Sequence, residues 1–180
     1  MRSMILIVCL VLVFAKASLP VSAQTITSFQ DEKVIDYQLP YPGILPDNPL
    51  FFLKRIRDSI QLATVSSPLE KACINLQLAD KDMAAGVELS RKGKHKLAEE
   101  RMTVAQDRVE QASQVIIENS KDITPKDSKE FAITLEKANR KHLEIIELLL
   151  KSAPQGQIQV LERLHARNGE LAKIISPLLE

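Results

Sequence analysis

A chain of 180 residues, 45% hydrophobic and 26% charged, has the composition of a folded protein and the length of one domain. Its 24 basic residues against 23 acidic leave a formal charge of +1, which excludes the cationic excess on which generic nucleic-acid binding depends, so no nucleic-acid partner is expected. Aromatics are 4% and Trp is absent, so a core of Leu, Ile, Val and Ala argues against a sandwich or barrel and for helices packed on helices.

Residues 1–23 read as a signal peptide. Arg2 supplies the positive start, Met4 to Ala15 is an unbroken apolar run, and Val21-Ser22-Ala23 offers small residues for cleavage after Ala23. The run is short for a bilayer span, and Lys16 ends it. The expectation is therefore a secreted or periplasmic protein with no stable membrane span after cleavage; a retained anchor is the alternative. Cys9 lies inside the apolar run and is a poor lipidation site. Cleavage removes Arg2 and Lys16 and no acid, leaving 22 basic residues against 23 acidic and a charge of −1. It also leaves Cys73 as the only cysteine, so no intrachain disulfide is expected and packing must supply the stability.

Residues 24–38 read as a flexible leader, polar through Asp36, and residues 39–180 as one helical domain. From Tyr37 to Pro49 the prolines fix φ and bias their predecessors to extended backbone, so this stretch is not helical. With Tyr37, Tyr41, Phe51 and Phe52 it concentrates four of the seven aromatics, and reads as an extended strap over a helical core.

Five helices are predicted next. The first starts at Asp47 or Asn48 with Pro49 and repeats Leu53, Ile56, Ile60 and Ala63 at helical spacing. Ser67-Pro68-Leu69-Glu70 opens the second with a capping box, its apolar stripe running Leu69, Cys73, Leu76, Met83, Val87 and Ser90 to a stop at Gly93. The third, from about Lys94 to Asn119, spaces Ala98, Met102, Ala105, Val109, Ala112 and Ile116 by fours and threes. Thr124-Pro125 with Asp127 starts the fourth, whose seam is Phe131, Leu135, Ala138, His142, Ile145 and Leu149, and Ser152-Ala153-Pro154 breaks it. The fifth carries Leu161, Leu164, Asn168, Leu171, Ile175 and Leu178. Similar lengths and short connections predict an all-α, up-down antiparallel bundle of four long helices with a short leading helix; two separate helical hairpins are the alternative.

The segment Leu39 to Asp58, LPYPGILPDNPLFFLKRIRD, resembles the opening signature of a domain family of exported prokaryotic proteins, built around Pro-Gly-x-Leu-Pro-Asp-x-Pro-Leu-Tyr-x-x-Lys, with Phe52 or Phe51 in the tyrosine slot. The stretch from Lys141-His142-Leu143-Glu144 through Glu162-Arg163 to Asn168-Gly169 is similar to its closing helices, so the likeness spans about Leu39 to Ala172. The resemblance implies export and a helical fold, and no activity or catalytic residue.

Side chains that could carry chemistry are few. The single Glu-x-x-His, Glu162 to His165, falls short of the paired motifs of a di-metal bundle. With His142 it makes one candidate metal site, since Pro154 reverses the chain between their helices. The competing reading is a hydrogen-bonded core histidine, His142 paired with Asn168. Cys73 on the apolar stripe reads as a buried hydrophobe. The cations of Arg91 to Lys96 read as a solvated turn, or as a contact for anionic surface polymer or lipid. Tyr37, Tyr41, Phe51 and Phe52 either seal one end of the bundle or form a partner-binding surface. The five glycines never cluster and no Gly-x-Ser-x-Gly elbow occurs, so no cofactor and no catalytic residue is assigned. The reading is a non-catalytic structural or interaction module of the cell envelope with a protein partner; an extracytoplasmic metal- or ligand-binding, sensory bundle is the alternative.

Overall fold

A computed structural model describes residues 35–180; the expected signal peptide, its cleavage site and most of the leader lie outside the described residues. Among the described residues all regular structure is helical. The elements are α1 (Phe51–Thr64), α2 (Pro68–Arg91), α3 (His95–Glu118), α4 (Pro125–Ser152), α5 (Gln155–Ile175) and a 3-10 turn, Ser176–Leu179. The compact unit begins at Ile35, so Ile35 to Gln38 of the expected leader belong to it.

Local chemistry sets the ends. Ser67 Oγ accepts from the Glu70 amide at 3.4 Å, and Thr124 Oγ1 accepts from the Asp127 amide at 3.2 Å, each ahead of a proline in the first turn. At the far end of α2, Gly93 takes φ 71°, which lets Lys94 N–H reach the Leu89 carbonyl at 2.8 Å and Gly93 N–H the Ser90 carbonyl at 2.9 Å. Asn48, not Asp47, caps the approach to α1, its Oδ1 accepting from the Leu50 amide at 2.8 Å. Asp47 instead binds Lys94 at 2.9 Å and Lys92 at 3.4 Å, tying the strap to the α2–α3 turn.

The α2–α3 contact is the most extensive, because small residues line it. Ala72, Ala79 and Ala85 of α2 and Ala98, Ala105 and Ala112 of α3 are all buried. At Gly86 a Cβ would stand 2.6 Å from Met102 Cγ, so only glycine admits the methionine. Further contacts join α4 to α5, α3 to α5 and α2 to α4.

The buried residues form two apolar clusters. One joins Leu76, Val109, Ile116, Phe131, Leu135 and Leu171; the other joins Met83, Met102, Ile146, Leu161 and Leu164. In each long helix a buried polar residue falls in sequence between its contributions to the two: Asp80 in α2, Gln106 in α3, Asn139 and His142 in α4, Asn168 in α5.

Two stripes depart from expectation. In α2 the expected Leu76 and Met83 are buried, with Ala72 and Ala79 beside them, but Cys73 of the same stripe is exposed. The α1 helix is reversed: it buries Lys54 and Asp58 and turns Leu53, Ile56 and Ile60 outward.

Candidate functional site

The polar layer contains a three-residue hydrogen-bonded chain that joins the strap, α2 and α4. Asp80 interrupts the apolar side of α2 four residues after Leu76 and three before Met83, so the helix itself drives the carboxylate inward. Tyr37 donates its hydroxyl to Asp80 Oδ2 at 2.5 Å, and His142 Nε2 lies 2.9 Å from Asp80 Oδ1. Set against a carboxylate, Nε2 is the nitrogen that carries hydrogen. Nδ1 is buried with no partner among the described residues. Burial, and then the bond to Asp80, pushes the Tyr37 phenol far above its ordinary value, which keeps it a neutral donor.

Tyr37 and Asp80 form the floor of an open cleft of about 430 Å³, with Leu69, Leu76 and Phe131 as apolar wall and Asp127 and Glu130 at its rim. No lysine or arginine lines it. Cys73 stands in the same wall, and partial burial followed by the Glu70 charge pushes its thiol up, the opposite of an activated nucleophile.

The candidate metal ligands do not meet. His142 is fully buried and faces α2, whereas Glu162 is exposed and His165 lies at the surface, its Nε2 3.3 Å from Glu147. The reason is helical phase: Leu161 and Leu164 hold the inward face of α5, so Glu162 and His165, each one residue on, rotate about 100° away. Among the described residues no group of three or more His, Cys, Asp or Glu could hold a metal ion. Asn168 bonds to Asn139 and not to His142. Its Nδ2 reaches the Asn139 carbonyl at 2.8 Å, and Asn139 Nδ2 returns to the Asn168 carbonyl at 3.3 Å.

The four aromatics divide. Tyr37 points into the cleft floor, and Phe51 lies between Lys54 Nζ at 5.5 Å and Arg101 at 5.4 Å from its ring centre. Tyr41 and Phe52 stay exposed. Lys54 Nζ also donates to the Pro42 carbonyl at 3.1 Å, fastening strap to helix, and burial pushes its ammonium down. Beside it Asp82, with Arg108 at 3.0 Å and Arg101 at 3.6 Å, is raised by burial against the pull of both guanidinium groups. Polar groups thus hold α1 to the body, and apolar ones face out: Phe52 is 56% exposed, Leu53 50%, Ile56 52% and Ile60 57%.

Sequence reasoning passed over Asp80 and Asp82. The signal for Asp80 was present, because a four-three count through Leu69, Cys73, Leu76 and Met83 leaves position 80 as its one unfilled step. The signal for the reversed α1 was absent, since periodicity identifies an apolar face without saying what it meets.

Fold and geometry together define an all-helical domain with a polar layer in its core, an acidic cleft under its N-terminal strap and an apolar helix face outside. Residues 43–170 match the family model described as Domain of unknown function (DUF5667), and the chain belongs to that family. No curated protein and no solved structure matches the chain. No described helix is long and apolar enough to cross a membrane.

Proposed function

We propose that the protein is an exported, non-catalytic interaction module of the cell envelope, secreted or periplasmic after cleavage at Ala23, in which a helical body presents α1 to a partner. The observation that carries this reading is the reversed packing of α1, with four large apolar side chains outward and Lys54 and Asp58 inward. The pairing of neighbours supports an up-down order for α2 to α5. Asp82 meets Arg101 and Arg108 across α2 and α3, Asn139 meets Asn168 across α4 and α5, and Glu99 and Asp107 of α3 meet Arg163 and Arg167 of α5 in the same sequence direction. Such a body gives α1 a rigid mount and needs no cofactor and no nucleic acid.

The test is export followed by fractionation. The wild-type chain should leave the cytoplasm and co-purify with envelope material, while the triple variant Phe52→Ser, Ile56→Ser, Ile60→Ser should be exported, keep its melting temperature and lose that association. Retention of wild type in the cytoplasm, or equal association of both proteins, would sink the reading.

A second reading rests on the cleft. Asp80, Asp127 and Glu130 line an apolar-walled space without a cation, which suits a small amine with an apolar body and would make the domain an extracytoplasmic ligand sensor. Calorimetric titration with alkylamines separates it from the first, since binding lost in Glu130→Gln with α1 untouched would favour the cleft.

A further inference from the structure

Resting on the reading that α1 is the docking element, we infer that its partner is an anionic lipid surface. At 100° per residue, Phe52, Leu53, Ile56, Ile60 and Ala63 fall within one face about 100° wide. Arg55 lies along one edge of that face and Arg57 along the other, both exposed. The helix has one acid, Asp58, which is buried on the opposite side and held by Arg57 at 2.7 Å. Exposed apolar residues between cationic edges, with no carboxylate on the outward face, match a helix lying in the plane of a headgroup region: side chains enter the acyl boundary and arginines reach phosphates.

The strap extends the same surface. Tyr41 and Ile44 share a cleft with Leu53, Lys54, Arg57 and Lys81, so a further cation from α2 and an amphipathic ring stand beside the helix. Tyrosine favours that depth, where ring and hydroxyl meet different solvents. The complementarity is local, because the chain after cleavage at Ala23 has 22 basic residues against 23 acidic.

A second copy fits less well. Pairing two such faces would bring Arg55 and Arg57 of both copies to one seam. A helix of 14 residues, about 21 Å long, also offers only a few hundred Å² of apolar surface, below the roughly 800 Å² per partner of a stable interface. A lipid surface needs neither a matching partner nor that area.

The test uses the protein recovered after export and vesicles of phosphatidylcholine alone or with one-third phosphatidylglycerol, read by co-sedimentation at low and high salt. Binding is expected to the anionic vesicles, to fall with salt, and to drop about fivefold for Arg55→Gln. The triple serine variant should not bind, while unchanged helical signal and melting temperature show that its fold is intact. Absence of binding to anionic vesicles, equal binding to neutral ones, or a dimer dispersed by the serine variant would each overturn the inference. If vesicle binding fails while envelope association still depends on Phe52, Ile56 and Ile60, the docking role stands with a protein partner; if both fail, so does the docking role.

Discussion

Tyr37 is the residue through which the strap joins the core. Its hydroxyl satisfies one oxygen of a carboxylate that is 4% exposed, and His142 satisfies the other. Tyr37→Phe keeps the ring and removes the donor, so Asp80 Oδ2 is left buried without it, at a cost of about 1–3 kcal/mol at neutral pH. The alkaline limb gives a second, independent readout. A phenol raised in the folded state contributes stability that is fully present below the ordinary tyrosine value, about 10, and is lost as pH rises above it. Urea denaturation at neutral pH and above about pH 10 should show the wild type losing stability on alkalinisation and Tyr37→Phe losing less. Equal stability of the two at neutral pH would mean that Asp80 finds water instead. Asp82 carries the same sign for a different reason. Burial raises its carboxyl despite three cations, so its ionisation subtracts from stability, and the loss eases on acidification.

Among the elements, α2 does the most positioning, and its faces divide the work. Alanines and Gly86 admit α3, Asp80 meets α4 and the strap, and Asp82 anchors Arg108 and the Arg101 that lies over Phe51. Gly86→Ala should therefore destabilise by about 1–3 kcal/mol despite alanine's better helix propensity, because Met102 must leave its rotamer or α3 must shift. Gly156, at the start of α5, has nothing within 4 Å of an added Cβ, so Gly156→Ala should leave the melting temperature unchanged or raise it. Thermal melts of the pair distinguish close packing from propensity; a fall of equal size in both would remove the packing argument.

For the whole molecule the polar layer supplies direction that the two apolar clusters lack. Leu, Ile and Ala clusters above and below it would tolerate a helix sliding by one turn, since apolar contacts are non-directional. Asn139 and Asn168 are directional. Their two bonds cross between α4 and α5 to backbone carbonyls, and Gln106 reaches the Leu164 carbonyl at 2.6 Å from α3. Single substitutions Asn139→Leu or Asn168→Leu should each cost about 1 kcal/mol by deleting one donor to a backbone carbonyl, and because each amide bonds to main chain that the other substitution leaves in place, the double variant should lose about the sum. A mutant cycle by chemical denaturation measures the coupling, and a marked departure from additivity would mean that the two side chains also depend on each other directly. If the double variant also broadens its transition, the layer's contribution is to uniqueness of packing and not to net stability.

Most of the helical scaffold was legible in the chain because its determinants are local. Ser67 and Thr124 cap α2 and α4 through side chains three residues from their targets, and Gly93 ends α2 through its own φ. Ala98 to Ile116 and Leu161 to Ile175 bury the residues their spacing indicates, for a helix packed on one side exposes one stripe to its neighbours. Reading failed where a side chain had more than one surface available. Helix α2 meets neighbours around most of its circumference, so Cys73 could turn outward without loss; His142 found Asp80, 62 residues away, before Asn168; and α1 buried Lys54, bound to the Pro42 carbonyl, and Asp58, bound to Arg57, while Leu53, Ile56 and Ile60 stayed exposed. Caps and periodicity are settled within a few residues of chain, but the choice of which face is buried, and against whom, is made by partners distant in sequence that only packing brings together.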